Sequence, residues 1–540
     1  MTGGPVPPAH SETSGALFQL SASEITRLVA SREVSAAEVL EAHLERIETV
    51  NSGLNAVVVR RDDRARRRAR ELDRDLSRGV AAGPLAGVPF TVKESIHVAG
   101  TPSTAGSRAH IPQLAANNSP LIDRMVEGGA ILVGKTNLAQ VHVFHEGDNP
   151  VYGRTNNPWA ADRTSGGSSA GEGAIIAAGS VPLGIGSDIG GSVRIPAHFC
   201  SVHALKPTAN RLSRHNSFDA IAWAGAQAIV AQAGPMARSV TDLASALEVL
   251  VVPDAGDISI PPVPLRQPSD VSVRGLRIGW FDDDGAFSPA PAVRRALYEA
   301  RDLLEDGGAE VVQFTPPDLE RAVGLYLGIL SSDAARWARG FLAGGPVDRR
   351  PQALITLSRL PSPVRAVFAR LAQAMGQQGL SRAAASLGGR SAAGYWALVN
   401  EAERYRQEFA DLLRQRRIDA LVCPPHALPA LRHGDSYDVS MGGAYALLFN
   451  LLGFPAGVIS TTAVRPGEET DRPTSRDRAE KVASRVEAGS AGLPVGVQVA
   501  AAPWREDIVL AVMGYLEDAV RDRPDYPCRP AAPVRSENDG

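Results

Sequence analysis

The segment TSGGSSAGEGAIIAAGSVPLGIGSDIGGSVRIP, Thr164 to Pro196, leaves the chain few choices of local structure. It holds a Gly-Gly-Ser-Ser block, a run of small apolar residues, and then Gly-Gly-Ser again. Glycine opens backbone conformations closed to other residues. Successive amides in such a turn can all face inward and hold an anion. A serine ending that turn, as Ser192 does, carries its hydroxyl beside donors able to hold an oxyanion, which is what an acyl-transfer nucleophile needs. Two Gly-Ser turns that only shape the backbone fit the local sequence equally well. No histidine lies within five residues of Ser192, so a nucleophile there needs its base from elsewhere in the chain.

Around this segment the pattern is mixed helix and strand, which predicts an α/β fold and one domain over residues 21–523. Ser21-x-x-Glu24 and Ser35-x-x-Glu38 read as capping boxes opening two helices. LNAVVV reads as a strand, and Arg61 to Arg78 as a solvated charged helix. GLRIGWF, Pro291 to Gly307 and AEVVQF form a β-α-β unit. Residues 319–416 are predominantly helical, a cap-like insertion, and IDALVCP and GLPVGVQVAA are further strands. Residues 465–492 read as an exposed charged loop, residues 1–20 as a flexible arm and 524–540 as a flexible tail.

With 540 residues, 44% hydrophobic, 21% charged and a net charge of −3, the chain gives no reason to expect nucleic acid as a partner. Aromatic residues at 5% argue further against base stacking. Three dispersed cysteines, Cys200, Cys423 and Cys528, fit a reducing compartment and neither a disulfide framework nor a zinc site. The most apolar run, Tyr445 to Ser460, is broken by Asn450, Gly453 and Pro455 and is too short to span a bilayer. A cytoplasmic protein is expected, with peripheral membrane contact left open.

Two motifs invite other chemistry. GAILVGKT, Gly129 to Thr136, matches the phosphate-binding loop pattern, but its four variable positions are Ala-Ile-Leu-Val, which read as a buried strand rather than a wrapping loop. His142-x-x-His145-Glu146 lacks both the order of a zinc peptidase helix and an evident third ligand. No metal and no cofactor are expected.

The base comes from further upstream. In GVPFTVKESIHVAG, Lys93 continues an apolar strand inward. A lysine carried into a core is costly unless neutral or paired, and burial lowers its pKa toward the range of a general base. Lys93 precedes Ser168 by 75 residues, and Ser168 precedes Ser192 by 24.

The blocks GVPFTVKESI, GGSSAGEG, GIGSDIGGSVRIPAHFC and LKPT, in this order, resemble the amidase signature family of serine hydrolases. RSAAGYWALVNEAERYRQEF, LLFNLLGFPAGVIS and GLPVGVQVAAAPWRED are similar to its fatty acid amide hydrolase branch. The resemblance implies a mixed twisted sheet of about eleven strands wrapped in helices, with a signature core over about 85–210. It implies a Ser192–Ser168–Lys93 catalytic triad, a cis peptide bond before Ser168, and an oxyanion hole from the amides of Ile189, Gly190, Gly191 and Ser192. The chain departs from the family pattern at Ala170, which stands where glycine is common, and at Ser201, His203 and Ala204.

The activity so implied is hydrolysis of fatty acyl amides or other hydrophobic N-acyl amides through an acyl-enzyme, with some esterase activity. A metabolite-tailoring amidase and the amidase component of a glutamine-dependent amidotransferase complex are the alternatives. In LSRLPSPVRAVFARLAQAM, residues 357–375, Val364, Val367, Phe368, Leu371 and Met375 fall on one helical face with Arg365 and Arg370 flanking it. An interfacial helix touching membrane and a core or homodimer face both satisfy this pattern.

Overall fold

A computed structural model describes residues 17–218, 227–252, 257–283, 285 and 287–530. Most of the expected arm, residues 1–16, and the end of the expected tail, 531–540, lie outside the described residues.

Thirteen strands are present among the described residues: β1 (Val57–Arg60), β2 (Pro89–Lys93), β3 (Ile131–Thr136), β4 (Asp148–Asn149), β5 (Gly153–Arg154), β6 (Leu183–Asp188), β7 (His203–Lys206), β8 (Gln232–Ala237), β9 (Arg277–Trp280), β10 (Glu310–Gln313), β11 (Ala420–Cys423), β12 (Ala456–Ala463) and β13 (Pro494–Ala501). Eleven form one mixed sheet in the order β1-β3-β2-β6-β8-β7-β12-β13-β11-β9-β10, and β4 and β5 pair separately. This is the α/β architecture of about eleven strands expected above. The sheet is parallel where β2 meets β3 and β6, and antiparallel where β6 meets β8. β2, β6, β7, β8 and β13 are buried along their whole length, which explains why they read as apolar or small-residue runs without alternation.

The helices used below are α1 (Ala22–Ala30), α2 (Ala36–Leu54), α3 (Ala170–Ala177), α4 (Arg194–Cys200), α5 (Leu319–Leu330), α6 (Ser362–Ala374), α7 (Gln378–Ser386), α8 (Ala392–Arg416), α9 (Ala444–Leu452) and α10 (Arg478–Glu487). Ser21 and Ser35 cap α1 and α2 in full capping boxes with Glu24 and Glu38. The GAILVGKT sequence is strand through its Gly-Lys-Thr end: Gly134, Lys135 and Thr136 pair with Thr91, Val92 and Lys93 of β2. A loop able to wrap phosphate is therefore absent there.

Two segments differ from expectation. The charged stretch 465–492 is not a bare exposed loop. It contains α10, which buries Ala479, Val482, Ala483 and Val486, and Glu487 is fully buried against Arg472 at 2.7 Å. The spacing of those four apolar positions is the helical period, hidden among charges. Residues 524–530 lie against the body: Asp525 pairs with Arg465 at 2.8 Å, and the Ser201 hydroxyl donates to the Pro527 carbonyl at 2.6 Å.

Candidate active site

β2 and β6 run parallel side by side, so their C-terminal ends meet at one edge of the sheet, where open α/β sheets place their crevices. Lys93 ends β2, and Ser187 and Asp188 end β6. Lys93 is fully buried, with Nζ 2.7 Å from Ser168 Oγ, 3.0 Å from Ser187 Oγ and 3.3 Å from the Ser187 carbonyl. Ser168 is delivered by the Gly-Gly-Ser-Ser turn just before α3, and its peptide bond to Gly167 is cis. The turn is tied to the second glycine block, because the Ser169 amide donates to the Ser192 carbonyl at 3.0 Å. The structure thus joins Lys93 to Ser168 directly, brings the Ser192 backbone against the neighbouring Ser169, and adds Ser187 as a second hydroxyl on Lys93.

The stretch Ile189–Val193 turns between β6 and α4, and an internal ion pair shapes it. Asp188 and Arg194 are both fully buried and bonded twice, at 2.9 and 3.0 Å. Asn450 of α9 donates to Asp188 at 2.9 Å, while Arg194 also donates to Gln498 and the Ala446 carbonyl. Burial pushes the Asp188 carboxyl up, but the Arg194 charge and the Gly191 amide outweigh it and hold the group well below the ordinary carboxylate range. Breaking such a pair strands a buried charge, at a cost of about 3–5 kcal/mol. Gly191 sits at φ +106°, and a side chain there would collide with Ile195 and Ala446, so only glycine fits.

The expected oxyanion hole changes in one member. The Gly191 amide already donates to Asp188 Oδ1 at 2.8 Å. The amides of Ile189, Gly190 and Ser192 have no protein partner among the described residues. Tyr326, from α5, donates its hydroxyl to the Ile189 carbonyl at 2.9 Å. A methyl group on Gly190 would lie 2.5 Å from that hydroxyl. Because carbonyl and amide of one peptide point opposite ways, this bond turns the Gly190 N–H away from Tyr326.

Ser192, 7% exposed, opens into a cavity of about 210 Å³. Ile189, Gly190, Val141 and Phe144 line it together with Leu327, Leu330, Leu354, Ile355, Leu387, Met441 and Leu447, and its polar lining includes Tyr326, His142, Ser331, Ser358 and Ser440. No Asp, Glu, Lys or Arg is among the described residues lining it. His145 lines it beside His426, and burial pulls its imidazole down to about 4, so it is neutral near pH 7. No group of three or more His, Cys, Asp or Glu is placed to hold a metal among the described residues.

Beneath Lys93, Glu172 is buried and accepts bonds from Thr91 at 2.7 Å and Thr136 at 2.8 Å. Burial pushes its carboxyl up to about 8. The departure at Ala170 is absorbed locally: its methyl occupies the space beside Gly147, where any side chain would clash with it. Ser201 and His203 make bonds to the Ser460 hydroxyl and to Glu517, and neither of these partners is Lys93, Ser168 or Ser192.

The amidase family profile matches residues 38–510, most of the chain. The chain belongs to the amidase family. This amidase is 34% identical over 508 residues to fatty-acid amide hydrolase 1 of Sus scrofa, spanning 93% of its own length and 86% of the relative's. It is also 33% identical over 506 residues to fatty acid amide hydrolase 1 of Caenorhabditis elegans, spanning 90% and 86%. A glutamyl-tRNA(Gln) amidotransferase component of Deinococcus radiodurans is 32% identical over 514 residues, with 93% and 97% spanned. Among solved structures, a fatty acid amide hydrolase superposes with a TM-score of 0.82 at 25% identity, over 94% of this chain and 86% of that one. The amidase is therefore a hydrolase of this family, with the sheet and helices of its relatives.

Proposed function

We propose that this amidase hydrolyses hydrophobic N-acyl amides, fatty acyl amides in particular, through a Ser192 acyl-enzyme. The observation that carries this reading is the cavity at Ser192, apolar and without a charged wall among the described residues. An acyl chain gains by entering it, whereas the ammonium and carboxylate of glutamine would be desolvated without a counter-charge. The glutamine-dependent amidotransferase alternative is disfavoured on that ground.

Unprotonated Lys93 takes a proton from Ser168 Oγ, which takes one from Ser192 Oγ as it attacks the acyl carbonyl carbon. The amides of Ile189, Gly190 and Ser192 hold the oxyanion. The proton then travels back through Ser168 to the leaving nitrogen, the C–N bond breaks, and water hydrolyses the acyl-enzyme by the same relay. The 2.7 Å contact between Lys93 and Ser168 supports this route. So does Glu172, whose carboxyl is pushed up to about 8 by burial, weakening the counter-charge near the lysine.

In an acyl-amide series of graded length, kcat/KM should rise by about fourfold per methylene while the chain still fits, from about 0.8 kcal/mol of burial each. Glutamine and short aryl amides run beside them should be poor substrates; a preference for glutamine would overturn the reading. Tyr326→Phe keeps the ring and removes one bond to the Ile189 carbonyl. It should lower kcat about tenfold with KM little changed, the worth of one hydrogen bond felt in the transition state. Active-site titration with a fluorophosphonate separates this from unfolding, which would lower the labelled fraction instead of the rate per labelled site.

We also assign α6 to membrane contact. In the single chain its apolar stripe is open, with Val367 55%, Leu371 59% and Met375 70% exposed, so a core face is excluded. No helix among the described residues is long and apolar enough to cross a membrane, and the contact proposed for α6 is peripheral. Liposomes should bind the protein, and the double change Val367→Glu with Phe368→Glu should release it. Persistence of binding, or conversion of a dimer to a monomer by the same change, would refute the assignment.

A further inference from the structure

The opposite face of α6 carries different chemistry. Between Arg349 and Asn400 the chain has seven arginines and no Asp, Glu or Lys, although the whole protein is net negative. Arg350 is neutralised by Glu146 and Asp148, and Arg382 by Glu320, all from outside this run. Arg359, Arg365, Arg370 and Arg390 have no carboxylate partner among the described residues. Three of these four converge on one cleft of about 640 Å³ between α6, α7 and the start of α8.

Three arginines, Arg365, Arg370 and Arg390, line it together with Gln373, Ser362, Ser381 and Ser391, and no acidic residue is among its described walls. Arg365 is only 4% exposed. Its guanidinium donates to the Leu360 carbonyl at 2.7 Å and packs close against Gly388, where a methyl group would fall 2.3 Å from it. Its Nε is buried with no hydrogen-bond partner. Arg390 is fixed by the carbonyls of Ser386 and Gly388, both at 3.0 Å. Arg370 is exposed and has no ion-pair partner among the described residues. Like charges this close, one of them buried, oppose their own burial, and the guanidinium of Arg365 is held below its ordinary range by desolvation and by Arg390. An arrangement of this kind is unfavourable when empty, and a bound oxyanion would relieve it.

We propose that this cleft binds a phosphate-type oxyanion, either free phosphate or the phosphate of a larger ester. Arg365 and Arg390 are anchored by backbone carbonyls that use part of their donors, the unpartnered Nε of Arg365 is left over, and Arg370 on the rim adds a third positive charge. A dianion compensates the three charges better than a single carboxylate would. At about 100° per residue, Arg365, Ala369 and Gln373 lie on the side of α6 away from Val364, Phe368 and Leu371. The site is thus independent of the apolar stripe and of the catalytic reading above.

The test is calorimetric titration of the full-length protein with inorganic phosphate, and separately with monomeric dihexanoyl phosphatidylglycerol, against chloride at matched ionic strength. Saturable binding of either is expected. Arg370→Ala, an exposed change that should leave the fold and basal amide hydrolysis intact, should weaken binding about tenfold or more, the loss of a charge-assisted contact. Arg365→Met should remove binding; if it fails to fold, Arg370→Ala still decides. Tighter binding of phosphatidylglycerol than of inorganic phosphate would identify a headgroup as the source, and the reverse order a free anion. Equal response to phosphate and chloride, or unchanged binding in Arg370→Ala, would overturn the proposal. Because Ser192→Ala leaves this cleft untouched, loss of catalysis and loss of anion binding can be told apart.

Discussion

Replacing Ser192 by Ala should remove amide turnover, with a fall in kcat on the order of 10⁵- to 10⁶-fold, as when the nucleophile of another serine hydrolase is deleted. Ser192 Oγ is the atom proposed to bond the acyl carbon, and no neighbouring group can replace it. Ser168 is buried on Lys93, and Ser187 is spent on the same amine. The fold should survive, because the alanine methyl occupies the serine's own space and the backbone bonds of residue 192 do not involve its hydroxyl. A fluorophosphonate probe should label the parent protein and leave the variant unlabelled. Activity retained in a preparation free of other hydrolases would refute the assignment.

Lys93→Ala should separate amides from esters. Amide hydrolysis should fall by about 10³- to 10⁴-fold, within the usual value of general acid–base catalysis. An activated ester such as a p-nitrophenyl ester should lose about tenfold to a hundredfold, because its leaving group departs without being protonated. The physical ground is the proposed path: the amine of Lys93 lies 2.7 Å from Ser168 Oγ, the hydroxyl through which its proton is proposed to reach the leaving nitrogen. A lysine that merely filled the core would give equal losses for both substrates. Both rates measured on one folded preparation settle the matter, since any loss of folded protein scales them alike.

Much of this site was legible in the sequence because its parts are backbone-specified. Glycines at 190 and 191 and the buried run ending at Lys93 announce themselves by residue type, and the eleven-stranded sheet followed from the resemblance those blocks carry. Asp188 was visible in GSDIGGS, yet its hold on the Gly191 amide three residues on was missed, although short carboxylates commonly bond amides at such spacing. Tyr326 could not be found that way. It stands in a leucine-rich helix where an aromatic reads as core, and its partner, Ile189, is 137 residues distant. The charged stretch around α10 misled for the opposite reason: arginines and glutamates outnumber the four small apolar residues that set its buried face.

The cavity has two kinds of wall. Ile189, Gly190 and Ser192 lie on the turn that follows β6, while Leu327, Leu330, Leu354 and Leu387 come from the helical region beyond residue 319. The nucleophile proposed here and the apolar wall facing it therefore belong to separate parts of the fold. Changes in the helical wall can alter what fits the cavity while the sheet register that places Lys93 and Ser187 at neighbouring strand ends stays as it is.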